Sequence, residues 1–368
     1  MTSFEFYPGS GYLSGQDRPK RVLSAFLRKG AIPHALLFCG IDGIGKLATA
    51  ISFAMACNCL NRPSGDKTHF RTDTFLNYSP DSREPFHKPS HDTNPILPCG
   101  ECGPCRKIQS GNHPDIIQIK PSGSMIKIAQ IRALGHTLSM KPYEALMRVA
   151  IISDAHTLNP EAGNALLKML EEPPHKTLLI LITSRDSDLL PTVLSRCQHI
   201  RFVPIPRKNI EAYLMEKLGA SSTDAEVLSI MANGSYTQAQ YLFESHWMEQ
   251  RNRLIRALGL DHPFTTSPKP VAFLLGMAEC LSKNKEEWFD CLQILKSWVR
   301  DLIISKFSPQ HMVNKDMAKV IQQVSEKMEC HKLLNHISII HASEKQIQTN
   351  LNVRLMAETL ILGLSGYI

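Results

Sequence analysis

His34-Ala-Leu-Leu-Phe-Cys-Gly-Ile-Asp-Gly-Ile-Gly-Lys-Leu47 is the stretch on which the fold turns. Its first six residues form a short apolar run bounded by glycine, the pattern of a buried strand. From Lys46 to Cys59 the chain reads Leu-Ala-Thr-Ala-Ile-Ser-Phe-Ala-Met-Ala, a largely apolar helix. Between them, Gly40-Ile-Asp-Gly-Ile-Gly-Lys46 fits the phosphate-loop pattern G-x-x-x-x-G-K. Glycines there let backbone N–H groups close around phosphates, the helix N-terminus favours negative charge, and the lysine reaches the terminal phosphates. Gly40, Gly43, Gly45 and Lys46 are therefore the candidate nucleotide-binding residues. A chance glycine turn would not explain a strand before it and a helix after it.

The loop lacks an oxygen where magnesium chemistry requires one. The pattern calls for Ser or Thr after the lysine, and Leu47 stands there; leucine cannot ligate a hard cation. Thr49, two residues further round the helix, is expected to point elsewhere. The second metal-holding element should be an apolar strand ending in a carboxylate. Val149-Ala-Ile-Ile152 is that strand, but Ser153 holds the metal-ligand place and Asp154 the next one. A slip of one residue turns a strand side chain to the opposite face, so Asp154 replaces the missing ligand only if the strand ends one residue later. Without such ligands phosphoryl transfer loses its main electrostatic stabilisation. ATP or ADP binding without a competent Mg²⁺ site, and little hydrolysis, is the expectation.

Outward from this loop the elements alternate. Asp17 to Lys29 carries apolar residues at helical spacing, Asp115–Lys120 reads as a strand and Ile128–Ser139 as a helix. Arg148–Ser153 is a strand. Asn159 caps a helix with Pro160 in its first turn, and Pro173-Pro174 stops it. Strands follow at Thr177–Thr183 and Gln198–Val203. This alternation predicts an α/β domain built on a parallel sheet with helices on both sides. Beyond Pro206 the strand signal ends. Lys208 to Phe243 reads as a small group of helices, and the remainder as helical nearly to Ile368, including Glu286–Lys306 and Lys345–Leu362. Asn61 to Pro98 is rich in Pro, Ser, Thr, Asp and His without periodicity and reads as a flexible insertion.

Composition agrees with a multi-domain globular chain. It has 368 residues, 43% hydrophobic and 20% charged, and a length suited to two or three domains. Apolar runs such as Leu178–Ile182 fall far short of the roughly 18 residues a membrane helix needs. Met1–Pro8 lacks the basic head and apolar stretch of a secretory signal. A cytoplasmic protein is expected. The net charge of +7, from 41 Lys+Arg against 34 Asp+Glu, is compatible with a nucleic-acid partner but too small to demonstrate one.

Of ten cysteines, only Cys99, Cys102 and Cys105 are tightly clustered. Three thiolates at tight-turn spacing point to zinc ahead of a redox pair, and a structural zinc site takes four ligands. The spacing leaves Cys57, Cys59, His91 and His113 open as the fourth. Lone histidines such as His113 and His156 are more often structural. Leu166, Met169 and Leu170 read as core, as do Trp247, Trp288 and Trp298, and the acidic pair Glu171-Glu172 reads as a solvated helix end.

Several motifs together resemble bacterial DNA polymerase III clamp-loader subunits. They are Cys99-Gly-Glu-Cys-Gly-Pro-Cys-Arg-Lys-Ile108, Gly111-Asn-His-Pro-Asp115, Ile126-Lys-Ile-Ala-Gln-Ile-Arg132 and Lys141-Pro-Tyr143. To these are added Asn164-Ala-Leu-Leu-Lys-Met-Leu-Glu-Glu-Pro-Pro174 and Leu190-Pro-Thr-Val-Leu-Ser-Arg-Cys197. The match runs from about Gly11 to Phe202; the helical remainder is similar in size and class. The resemblance implies an AAA+ P-loop domain with an embedded zinc module (residues 1–205, the module about 57–114, the insertion about 61–98). A helical lid (206–245) and an all-helical collar for ring assembly (246–368) would follow.

Within that family the chain looks like the delta-prime type more than the ATP-hydrolysing gamma/tau type. Leu47, Ser153 and the length agree, and so does Gln238, which stands in Gly234-Ser-Tyr-Thr-Gln-Ala239 where the lid motif usually presents an arginine. The resemblance further implies that the first zinc ligand lies thirteen residues beyond the loop lysine, at Cys59, giving a structural Zn²⁺ site of Cys59, Cys99, Cys102 and Cys105. It implies that Ser195-Arg196-Cys197 carries an arginine finger, Arg196, for a neighbouring subunit's ATP. The chain would then be no ATPase on its own. Its partners would be gamma/tau-like and delta-like subunits in a ring, with a sliding clamp and primed DNA met through the complex. Two other readings are an active gamma/tau-like ATPase and a stand-alone zinc-containing DNA-binding protein.

Overall fold

Ala35–Cys39 (β1) is buried at every position, and the rest of the first unit is arranged around it. The computed structural model describes residues 15–61, 98–261, 269–347 and 353–364. The expected flexible insertion, with His91, lies outside the described residues except at its ends. Five parallel strands form one sheet in the order β2-β3-β4-β1-β5. Here β2 is Ile116–Ile119, β3 Arg148–Ile152, β4 Thr177–Thr183 and β5 Gln198–Arg201. The three central strands are buried throughout, whereas the edges β2 and β5 are partly exposed. This explains their uninterrupted Val/Ile/Leu runs: a parallel strand covered on both faces has no polar side to show.

The helices of this unit are α1 (Asp17–Lys29), α2 (Lys46–Asn58), α3 (Gly103–Gln109), α4 (Ile128–Ser139), α5 (Pro160–Glu171) and α6 (Pro191–Leu194). The sheet packs Leu37, Ala150, Ile152, Leu179 and Leu181 against Ile131, Leu134, Leu166 and Leu170 from α4 and α5. The cap of α5 forms as its sequence predicts: the Asn159 Oδ1 accepts the Ala162 N–H at 2.9 Å, with Pro160 in the first turn. In register, Cys39 of β1 lies between Thr183 of β4 and Arg201 of β5. The loop after Cys39 therefore leaves from the carboxyl edge of the sheet between two neighbours, the place where parallel α/β sheets hold ligands.

Two compact units are present, residues 1–210 with 234–238, and residues 211–233 with 239–368. A helix over Arg207–Leu218 (α7) begins in the first and continues into the second. A helix over Tyr236–Glu244 (α9) likewise begins in the first unit. The rest of the second unit is helical: α8 (Ser222–Met231), α10 (Trp247–Leu258), α11 (Val271–Leu281), α12 (Lys285–Phe307), α13 (Ala318–Lys327), α14 (Cys330–Ile347) and α15 (Val353–Leu364). Trp247, Trp288 and Trp298 are fully buried in it, as core residues rather than a stacking surface.

A polar knot lies in the same core. The wholly buried Asp301 carboxylate accepts the Val313 N–H at 2.9 Å, the Asn314 N–H at 2.7 Å and the Asn314 Nδ2 at 2.8 Å. Arg251, also wholly buried, donates to the Asn314 Oδ1 at 2.7 Å, pairs with Asp316, and sits 5.8 Å from the Trp247 ring centre.

One element went unforeseen: α3 has only seven residues, too few for an amphipathic period to register. The described residues of the helix expected over Lys345–Leu362 lie in α14 and α15, and 348–352 lie outside the described residues.

Candidate functional site

The phosphate-loop segment has the backbone its glycines allow. Gly43 and Gly45 take φ of +74° and +93°, left-handed values that side chains other than glycine rarely adopt. Gly45 then stands as the N-cap of α2. Gly43 is also fixed by packing. Its carbonyl accepts the Tyr236 N–H at 3.0 Å, and a Cβ at this position would lie 1.7 Å from the Thr237 Oγ1 and 2.1 Å from the Ser235 Oγ.

Lys46 is buried and turned onto its own loop. Its Nζ donates to the Gly40 carbonyl, to the Ile41 carbonyl at 2.7 Å, and to the Asp42 Oδ1 at 3.3 Å. Burial lowers its pKa, while the charges of Asp42 and Asp154 act the other way. The carbonyls thus occupy ammonium donors that a phosphate would otherwise take.

Around the loop the oxygen inventory is short. Leu47 follows the lysine, half-buried. The Thr49 hydroxyl donates to the Gly45 carbonyl at 2.8 Å inside α2, so it is committed to the helix, as its position predicts. β3 ends at Ile152. Ser153 is buried and its Oγ has no hydrogen-bond partner among the described residues. Asp154 takes a left-handed turn conformation, φ +51°, and begins the following turn rather than extending the strand. The expected lid position, Gln238, is exposed and donates its N–H to the Ser235 Oγ at 3.2 Å.

Arg196 follows α6 in an exposed turn. Its Nη2 pairs with the Glu171 Oε1 at 2.8 Å, and its Nη1 donates to the Thr192 carbonyl at 3.1 Å and the Ser195 Oγ at 3.3 Å. Glu171 is therefore an ion-pair partner and not merely a solvated helix end. The tie links positions 25 apart, which no local spacing reveals. Cys197 is buried, and desolvation with the nearby Cys39 pushes its thiol up to about 12.

The four cysteines of the candidate metal site come together. The sulfurs of Cys59, Cys99, Cys102 and Cys105 all lie within 4.8 Å of one another, with Cys99 and Cys105 at 4.0 Å. A disulfide needs about 2.05 Å. Four thiolates around one tetrahedral ion at ~2.3 Å stand about 3.8 Å apart, so the separations fit a closed four-coordinate metal centre. The Cys99 N–H donates to the Cys59 Sγ at 3.5 Å and the Cys102 N–H to the Cys99 Sγ at 3.4 Å. Such donors favour thiolates: chiefly through the Cys102 N–H, Cys99 is held down to about 7, whereas burial pushes Cys105 up. Apolar packing from Met55 and Ile108 closes the group. Cys57 is not among the four, and neither is His113. The His113 Nδ1 instead accepts the Asp115 N–H at 3.2 Å.

Asp115, the last residue of the Gly111–Asp115 motif, had no role legible in the sequence. Its buried carboxylate accepts the N–H groups of Tyr143, Glu144 and Ala145 at 2.9, 2.8 and 2.9 Å, with the Arg148 Nε 3.6 Å away. Arg148 in turn donates to the carbonyls of Thr137 and Met140 at the end of α4, at 2.9 and 2.7 Å. Burial alone would raise the Asp115 pKa; the three N–H donors and the guanidinium outweigh it and hold the carboxyl below the usual range.

The parallel sheet, the glycine loop at its carboxyl edge and the flanking helices define an α/β P-loop unit, which carries a group of four cysteines and is followed by a helical second unit. Comparison with known proteins gives the family. The family described as "DNA polymerase III, delta subunit" matches residues 86–206, and "DNA polymerase III, delta subunit, C terminal" matches 245–366. DNA polymerase III subunit delta′ of Pseudomonas aeruginosa is 30% identical over 342 residues, covering 89% of this chain and 90% of that protein. The Bacillus subtilis subunit delta′ is 29% identical, covering 95% and 96%. Subunit tau of Bacillus subtilis is 24% identical across 95% of this chain but 60% of its own length. The chain belongs to the delta′ family of DNA polymerase III clamp-loader subunits.

Proposed function

We propose that this chain is a non-hydrolysing or weakly hydrolysing delta′-like subunit of the DNA polymerase III clamp loader, which supplies Arg196 in trans to a neighbouring subunit's ATP. The observation that carries the reading is the oxygen-poor loop. Leu47 stands where a hydroxyl should ligate magnesium, Thr49 is committed to its helix, and Ser153 replaces the carboxylate at the end of β3. Gly40, Gly43, Gly45 and Lys46 form a degenerate nucleotide cradle, with ATP or ADP as its ligand class and no competent Mg²⁺ site. The oxygen ligands that would hold Mg²⁺ beside a transferring phosphoryl group do not stand at positions 47 and 153.

Arg196 supplies to another site what this one lacks. A guanidinium is always charged, and its fork matches phosphate oxygens. Placed beside a neighbour's γ-phosphate, such a group contributes about 10³–10⁵ in rate. Its exposure and fixed turn support that use. Cys59, Cys99, Cys102 and Cys105 would hold Zn²⁺. Four thiolates leave no open position, so the ion supplies folding energy rather than Lewis-acid chemistry.

The functional division follows residues 1–205, 206–245 and 246–368, the last as collar. The partners are gamma/tau-like and delta-like subunits in a ring, with the sliding clamp and primed DNA met through the complex in the cytoplasm. Among the described residues no helix is long and apolar enough to cross a membrane.

The test is ATP turnover by the purified chain with primed DNA, beside the assembled complex. Background-level turnover unchanged by Lys46→Ala is expected, together with a loss of complex ATPase on Arg196→Ala while assembly persists. Robust turnover abolished by Lys46→Ala would establish a gamma/tau-like motor instead. Tight, strongly salt-dependent DNA binding by the chain alone would favour the stand-alone DNA-binding reading.

A further inference from the structure

The last residue of α5 carries a negative charge at the end of the helix where the macrodipole is already negative, a placement that costs stability unless a cation answers it. Glu171 is answered by Arg196, 25 positions away, at 2.8 Å. The same guanidinium is held by the Thr192 carbonyl at 3.1 Å and the Ser195 Oγ at 3.3 Å, and the Ser195 hydroxyl is itself fixed to the Thr192 carbonyl at 3.1 Å. Next to it Cys197 is buried and pins the backbone of the turn. A guanidinium offers five N–H donors, and these three contacts leave two for a further acceptor.

We propose that Glu171 is a positioning residue for Arg196: it selects one rotamer of a long side chain and leaves two donors presented to an incoming phosphate. The inference rests on the arginine-finger reading above. An unrestrained arginine side chain samples many rotamers, and a phosphate-binding fork must lose that freedom before it is useful. The Thr192 and Ser195 contacts come from the same turn and move with it. Glu171 comes from α5, so it ties the tip of the side chain to a helix packed in the core of the sheet. Both partners remain partly exposed, with side-chain exposures of 37% for Arg196 and 51% for Glu171. Salt therefore screens the pair, and its effect on rate is modest beside that of the arginine itself.

The experiment is a double-mutant cycle on the ATPase of the full clamp-loader complex with clamp and primed DNA, using Glu171→Ala, Glu171→Gln, Arg196→Ala and Glu171→Ala/Arg196→Ala. Expected are a loss of about three- to fivefold in kcat for Glu171→Ala, the size an exposed pair supports, with KM for ATP unchanged. Glu171→Gln, which keeps a hydrogen-bond acceptor, should recover part of the loss. In the Arg196→Ala background the Glu171 change should have no further effect, which a general structural role of Glu171 would not produce. Unchanged or increased kcat for Glu171→Ala, with Arg196→Ala strongly impaired, overturns the positioning role alone. Additive losses in the double variant overturn it as well. Unchanged ATPase for Arg196→Ala overturns the finger reading and this inference with it.

Discussion

Replacing Asp115 by alanine removes the acceptor of three backbone N–H bonds of 2.8–2.9 Å and the anion beside Arg148. Hydrogen bonds to a charged group contribute about 1.5–3 kcal/mol each, but the loop from 143 to 145 is partly exposed and water can replace some of them. Arg148 cannot be rehydrated so readily, because its side chain is 3% exposed. Breaking a buried pair by deleting one partner costs about 3–5 kcal/mol, and that is the expected loss. For a unit of roughly 200 residues it corresponds to about 10 °C in Tm. Asp115→Asn keeps one oxygen and should lose about half as much.

The effect carries a pH signature. The folded carboxyl lies below its ordinary value, so its contribution is fully present above the unfolded pKa of about 3.9 and is lost as pH falls through the folded value. The difference between wild type and Asp115→Ala should be constant from pH 5 to 8 and narrow only in stronger acid, as measured by urea unfolding of the full chain. A loss under about 1 kcal/mol at pH 7 would refute the reasoning, and so would a gap that closes near neutrality.

Metal analysis of the purified chain should find about one zinc, lost on Cys102→Ser, and chelation should lower Tm; a folded metal-free protein of unchanged Tm would exclude the site. Gly43→Ala should destabilise the first unit by at least about 2 kcal/mol, since it combines left-handed backbone with a Cβ driven into Thr237 and Ser235; thermal unfolding measures it, and a neutral result would contradict the packing. Arg251→Ala should cost the helical unit about 2–3 kcal/mol by leaving the buried Asn314 Oδ1 without its donor and uncovering Trp247. Arg251→Met, of similar length and uncharged, should cost less in the same denaturant titration.

Most of the first unit was legible in the sequence because its signals are local. Buried parallel strands read as unbroken apolar runs, Asn159-Pro160 announces α5, and Gly40 to Lys46 announces the turn at the carboxyl edge. α3 was not legible, since seven residues are shorter than any reliable window and its place is set by the cysteines it carries. The long-range ties within each unit were equally hidden. In the first, Asp115 to the loop at 143–145 and Glu171 to Arg196, and in the second, Asp301 to Val313 and Asn314, join residues whose spacing follows no secondary-structure period. Among the metal ligands, Cys99, Cys102 and Cys105 declare themselves by spacing. Cys59 is separated from them by 40 positions and was assigned only through the resemblance to clamp-loader subunits.

That separation has a consequence for how the chain can change over time. Cys59 and Cys99 stand 40 positions apart in the chain, yet their sulfurs lie within 4.8 Å of each other. The entropic cost of a closed loop rises only with the logarithm of its length, about 0.6 kcal/mol per doubling. A change in the number of residues between these two cysteines therefore costs little closure entropy so long as the two sulfurs still meet, and the phosphate loop and the turn bearing Arg196 can stay as they are.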